Sequence, residues 1–189
     1  MKAFRLLAFL VLILPLFAAG CVYDAATAPP QDKEAKIKAS LAQLDPADRK
    51  LAEEQKYCAV ETENRLGSMG KPVKVTIKDQ PVFLCCKGCE KKALADPDKT
   101  LARVEELQIR VALERLDPAD RKLAEEQKFC AAEPENRLGS MGKPIKVMVK
   151  DQPVFICCKG CEKAVKADPD RTLATVKKLK AANADKKKE

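Results

Sequence analysis

Histidine and tryptophan are both absent from the 189 residues, and aromatic residues of all kinds amount to 4%. Without histidine there is no Ser/His/Asp triad, no imidazole base and no mixed Cys/His zinc site. None of the 7 glycines lies in a phosphate-cradling motif, so nucleotide-hydrolysing chemistry of the P-loop kind is excluded as well. The scarcity of aromatics removes the stacking platform on which single-stranded nucleic acid is bound. The formal charge is +8, from 36 Lys and Arg against 28 Asp and Glu, but the two signs are interspersed as on solvated helix surfaces. Nucleic acid is not an expected partner. A chain so poor in large side chains also builds only small cores, and small domains commonly depend on a disulfide or a metal for stability.

What the chain has instead is cysteine. Six of its nine cysteines fall in two five-residue clusters, Cys85-Cys86-Lys87-Gly88-Cys89 and Cys157-Cys158-Lys159-Gly160-Cys161. They belong to a tandem repeat. Setting Leu44 on Leu116 places Cys58 on Cys130 and each later cysteine on a cysteine, and 50 of the 65 positions from Leu44 to Gln108 are identical to those from Leu116 to Lys180. The match reaches back to Ile37 and Ile109, so the period is 72 residues and two units, 37–108 and 109–180, abut. A basic tail, 181–189, follows.

Each unit reads as α+β. Ile37, Leu41 and Leu44 recur at helical spacing, and Asp45-Pro46 supplies an N-cap and a proline suited to the first helical position, predicting a short helix from Pro46 to about Lys56. Gly67, Ser68 and Gly70 mark a loop. Val73, Val75 and Ile77 alternate with Lys74, Thr76 and Lys78 as in a half-buried strand; Asp79, Gln80 and Pro81 then read as the turn into a second strand, Val82 to Cys85. Beyond Cys89, Asp96-Pro97 opens a helix whose Leu101, Val104, Leu107 and Val111 share a stripe and which is expected to run through the junction to Ile109 and Leu113.

The expected architecture is therefore two small tandem modules, each with a cysteine-bearing hairpin of zinc-ribbon or treble-clef type flanked by helices. One cysteine follows a helix (Cys58, Cys130) and three sit at the hairpin exit (Cys85, Cys86 and Cys89; Cys157, Cys158 and Cys161). Such thiolates select soft or borderline ions, Zn(II) or Cu(I), with one ion per module. Two ligand sets are open: all four thiolates in a closed tetrahedral site, or three with one spare. Cys85 and Cys86 are adjacent, so a regular strand turns them to opposite faces. Lys71, Lys74, Lys78, Lys87 and Lys91 lie near the cluster in sequence and are candidates for offsetting thiolate charge, with ordinary solvated lysines as the equally open reading. Met69 and Met141 read as packing residues, with thioether ligation as the sharper alternative.

The stretch Val82-Phe83-Leu84-Cys85-Cys86-Lys87-Gly88-Cys89, followed by Asp96-Pro97-Asp98-Lys99-Thr100-Leu101, resembles the YHS/TRASH group of heavy-metal-binding domains. The resemblance covers about two thirds of each repeat. It implies soft-metal binding in trafficking, resistance or sensing, with Cys58, Cys85 and Cys89, and Cys130, Cys157 and Cys161, as ligands. This sequence departs from the group's pattern in three respects. It has 26 residues between Cys58 and Cys85, Ala59 and Ala131 where proline is common, and the additional Cys86 and Cys158.

At the amino terminus Lys2 and Arg5 precede an apolar run from Leu6 to Phe17 and then Ala18-Ala19-Gly20-Cys21. The run is shorter than the roughly 20 residues a spanning helix needs, so residues 1–20 read as a signal peptide and the chain as exported. Small residues directly before a cysteine resemble a bacterial lipobox, implying a lipid on Cys21 and a place in the periplasm or at the outer membrane, although Ala18 stands where leucine is usual. Cleavage after Ala28 is the alternative; it would discard Cys21, the one cysteine outside the repeats. Residues 21–36 are expected to act as a tether.

Three other readings compete with a metal site. Exported cysteines also form disulfides, Cys86-Lys87-Gly88-Cys89 is a C-x-x-C motif of the kind redox enzymes use, and a structural zinc or disulfide module could simply present a surface in the cell envelope. The vicinal pair fits two disulfides poorly, and one hairpin leaves no place for a thioredoxin-like sheet. The expectation is a metal-binding protein with no catalytic turnover, meeting metal-handling proteins of the envelope.

Overall fold

The computed structural model describes residues 30–186. The expected signal peptide, Cys21 with its expected lipid and the expected tether up to residue 29 lie outside the described residues, as do residues 187–189. Among the described residues no helix is long and apolar enough to cross a membrane.

Helix α1, Pro30–Leu41, leads into α2, Pro46–Gln55. The hairpin β1, Val73–Ile77, and β2, Gln80–Leu84, follows, then a 3₁₀ turn over Lys87–Cys89 and the short α3, Glu90–Ala95. Helix α4, Pro97–Glu114, crosses into the second unit, where α5 (Pro118–Gln127), β3 (Ile145–Val149), β4 (Gln152–Ile156), a 3₁₀ turn (Lys159–Cys161), α6 (Glu162–Ala167) and α7 (Pro169–Lys186) repeat the order. The chain is α+β, with one antiparallel two-stranded sheet in each unit.

Several boundaries differ from those the sequence suggests. Residues 30–36 are helix rather than tether, because Pro30 suits a first helical position and helix-forming residues follow it. Residues 181–186 continue α7 rather than starting a tail. Asp45 sits at the α2 N-cap position without a side-chain capping bond, whereas Asp96 caps α4 by accepting from the Lys99 N–H at 3.1 Å. The hairpin turns at Lys78-Asp79, both at positive φ (46° and 63°), and Pro81 lies within β2 opposite Thr76. Counting from the Ile77–Gln80 pair beside the turn, Thr76–Pro81 is a pair that exchanges no hydrogen bonds, where a missing N–H costs nothing.

Burial along β2 shows why the hairpin does not float. Val82, Phe83 and Leu84 are all buried, so both faces of this strand are covered. Phe83 also turns its N–H and C=O away from β1, and the side chain of Gln55 takes both. Gln55 Nε2 donates to the Phe83 carbonyl at 2.6 Å, and the Phe83 N–H donates to Gln55 Oε1 at 3.0 Å. Gln127 does the same for Phe155, at 2.6 and 3.0 Å. One buried amide thus replaces a third strand and fastens the end of α2 to the open sheet edge.

Gly67, at φ +88°, allows α1 to lie on the loop: a β-carbon there would meet the Ile37 carbonyl oxygen at 2.8 Å. Gly139 repeats this against Ile109, with 2.9 Å to its carbonyl oxygen. The second half of α4 is therefore to the second unit what α1 is to the first, and the junction is a single helix.

Candidate metal centre

Cys58 is delivered by the chain leaving α2, where the left-handed Lys56 ends the helix. Its N–H donates to the Asn64 carbonyl at 2.9 Å and the Leu66 N–H donates to the Lys56 carbonyl at 2.9 Å, closing a tight loop around the sulfur. The Val60 and Glu61 N–H groups each lie 3.4 Å from Cys58 Sγ, aimed at where thiolate charge would sit. In the second unit Cys130 Sγ accepts from the Cys157 N–H at 3.4 Å.

The other three cysteines come from the strand exit. Cys85 continues the inward register of β2 and is 1% exposed, while Cys86 is extended (φ −159°, ψ 166°) and half-buried. The 3₁₀ turn then folds Cys89 back, its N–H donating to the Cys86 carbonyl at 3.2 Å. Cys58, Cys85 and Cys89 are all buried, with their sulfurs within 4.8 Å of one another, and Cys130, Cys157 and Cys161 form the same group in the second unit. Cys86 and Cys158 fall outside these groups of three.

Cys89 Sγ is the hub. It lies 3.9 Å from Cys58, 3.8 Å from Cys85 and 3.9 Å from Cys86. Around Cys161 the corresponding distances are 3.7, 3.7 and 3.8 Å. Thiolates bound at about 2.3 Å to one ion stand about 3.8 Å apart in a tetrahedron and about 4.0 Å apart in a trigonal plane, so the sulfurs fit an ion with little movement. All eight repeat cysteines are free thiols.

The thiols are not alike in acidity. Burial, with the neighbouring Cys58, pushes Cys85 up to about 11, and burial with Cys130 does the same to Cys157. Cys89 and Cys161, the most crowded by sulfur, are raised further, again first by burial. Cys86 is lowered, chiefly by the Gly88 N–H and then by the Cys89 thiol; Cys158 is lowered by the Cys161 thiol and by backbone N–H groups. To bind an ion, Cys85 and Cys89, and likewise Cys157 and Cys161, would have to give up their protons, so uptake would release protons and be favoured by rising pH.

The lysines near the cluster in sequence have other partners or face solvent. Lys74 pairs with Asp48 at 2.6 Å, Lys78 pairs with Asp98, and Lys71, Lys87 and Lys91 are exposed. Met69 and Met141 are 61% exposed and so are not the packing residues expected of them. No protein-family model, no curated protein and no solved structure matches this chain. Sequence reasoning missed Gln55 and Gln127, which fasten α2 and α5, and with them the loops bearing Cys58 and Cys130, to the strands that lead into Cys85 and Cys157. A glutamine three residues before a cysteine carries no motif. Only its identity in both repeats could have drawn attention to it.

Proposed function

We propose that the chain is a soft-metal-binding protein that takes up one Zn(II) or Cu(I) ion per module and holds it or hands it on without chemical turnover. The observation that carries this reading is the buried group of three thiols, built twice with the same geometry. A soft ion supplies the positive charge that would let these cysteines ionise inside an apolar core. In this reading Cys58, Cys85 and Cys89, with Cys130, Cys157 and Cys161, are the resident ligands, as the likeness to YHS/TRASH domains implies, and the hairpin with its 3₁₀ turn serves as a zinc-ribbon-like clasp. The signal-like amino terminus and Cys21 support export and attachment to the envelope by a lipid. Metal-handling proteins there are the proposed partners.

Elemental analysis combined with thiol counting, on full-length protein purified anaerobically, tests the binding. About one metal per module is expected, and joint replacement Cys58→Ser and Cys130→Ser should abolish stoichiometric uptake. Metal-free protein in which all eight repeat cysteines are oxidised would overturn the reading in favour of a disulfide-held structural module. Incorporation of labelled fatty acid into the wild-type chain, and its loss in Cys21→Ser, checks the anchor separately.

A further inference from the structure

Cys86 and Cys158 have no place in the groups of three buried thiols, yet both repeats keep them. Cys86 is half-buried where its three neighbours are buried, so its sulfur is the one that solvent or another protein can reach. It is also within 3.9 Å of Cys89, and Cys158 within 3.8 Å of Cys161. Cys89 thus touches both the interior thiols and the outer one. Gly88 lies in the turn beside Cys86 Sγ: a β-carbon built there would lie 3.7 Å from that sulfur and meet nothing else within 4 Å, and one on Gly160 would lie 3.6 Å from Cys158 Sγ. Glycine keeps this side of the sulfur open, and neither glycine has the positive φ that would demand it for backbone reasons.

We propose that Cys86 and Cys158 are exchange ligands, each passing a soft metal ion between an external thiolate or chelator and the buried site through the sulfur it shares a contact with, Cys89 or Cys161. This rests on the metal-binding reading above. On delivery, a bond from Cys86 sulfur to the ion forms as one from the donor thiolate breaks; the proton leaving Cys86 goes to water and the released donor thiolate takes one up. Cys89 then binds as the remaining donor bonds break, and Cys85 and Cys58 follow, each of the three giving its proton to water as its bond to the ion forms. Cys86 leaves the ion and takes a proton back from water as the interior set closes. Release runs the same steps backwards. No electron is transferred, and a soft ion is held by at least one protein thiolate throughout.

The full chain, reduced and loaded with Zn(II), is mixed with an excess of a chromophoric chelator, and the transfer rate is followed together with the metal content before mixing. In the Cys86→Ser/Cys158→Ser protein, two ions per chain should remain bound while transfer slows by about tenfold. In Gly88→Ala/Gly160→Ala, which keeps every thiol and places a methyl beside each outer sulfur, transfer should slow in the same direction and less. Unchanged rates in both variants would overturn the proposal. So would loss of stoichiometric binding in Cys86→Ser/Cys158→Ser, which would make the outer thiols permanent fourth ligands. A wild-type chain that binds no Zn(II) or Cu(I) at all would instead overturn the metal-binding reading itself, a result the exchange rates cannot mimic.

Discussion

The two modules carry the same thiol geometry but are closed off differently. In the first, Tyr57 Oη donates to Glu114 at 3.0 Å and Lys56 Nζ donates to the same carboxylate at 2.6 Å. Arg110 stacks 4.2 Å from the Tyr57 ring centroid and donates to Glu114, to Glu63 and to the Thr62 carbonyl in the Cys58 loop. Tyr57, Leu107 and Val111 make a small apolar cluster beneath. In the second module the counterparts are Phe129, without a hydroxyl, Ala182 for Arg110, and Asn183 for Val111. Asn183 is buried and donates to the Glu125 and Glu126 carbonyls at 3.0 and 3.1 Å, satisfying the end of α5.

The difference teaches that repetition is strict where the site is held and relaxed where a module meets its neighbour. The first module docks the α4 helix it shares with charge and an aromatic ring, whereas the second fastens α7 through the Asn183 amide. Within the modules, changes compensate. Val60 and Ala93 become Ala132 and Val165, and the latter two line one cleft, so a valine and an alanine exchange places at nearly constant volume.

The sharpest way to break the comparison is through the glutamines, which it treats as equivalent. Gln55→Leu leaves the Phe83 N–H and the Tyr57 carbonyl without the glutamine's bonds, and Gln127→Leu does the same to Phe155 and Phe129, at about 2–4 kcal/mol per module. Hydrogen exchange resolved by module should show equal losses around Cys58 and Cys130, and unequal ones would mean the two clasps are not alike. Next in size is the junction. Burial alone would raise Glu114, but hydrogen bonds from Lys56 and Tyr57 outweigh it and hold the carboxyl below its usual value. Its stabilisation is therefore present above the unfolded-state value near 4.5 and is lost as pH falls through the lower folded-state value. Urea unfolding of metal-free protein, followed by fluorescence of Tyr57, the single tyrosine of the two modules, should show Glu114→Gln weakening the first module by about 1–2 kcal/mol at neutral pH and flattening its acid limb. The second module should not respond. The smallest effect is expected for Asn183→Val, which gives the second module the residue of the first and removes two bonds to the α5 carbonyls, at about 1 kcal/mol. Its signature is faster exchange at the end of α5 with no change around Cys58.

Much of the fold was legible because it rests on local rules. Alternation in Val73, Val75 and Ile77 marked β1, and the apolar stripe through Leu107 and Val111 carried α4 across the junction. The turn falls at Lys78-Asp79, earlier than Asp79, Gln80 and Pro81 suggest, and only the pairing register shows that the missing N–H of Pro81 is never needed. The helical start at Pro30 lies outside the repeat that defined the modules. Of the two readings open for the lysines, the structure bears out the solvated one, since closeness in sequence says little about which way a side chain points.

The sequence by itself determined that there are two copies of one small α+β unit, that each concentrates four cysteines, and that imidazole chemistry is absent. Those follow from identity, spacing and composition, which need no third dimension. Which of two adjacent cysteines faces inward was decided only by tertiary structure. Strand alternation puts Cys85 and Cys86 on opposite faces, but β2 is covered on both, and only the way the chain leaving α2 and the 3₁₀ turn pack at the strand exit makes Cys85 a partner of Cys58 and leaves Cys86 half-exposed beside Cys89.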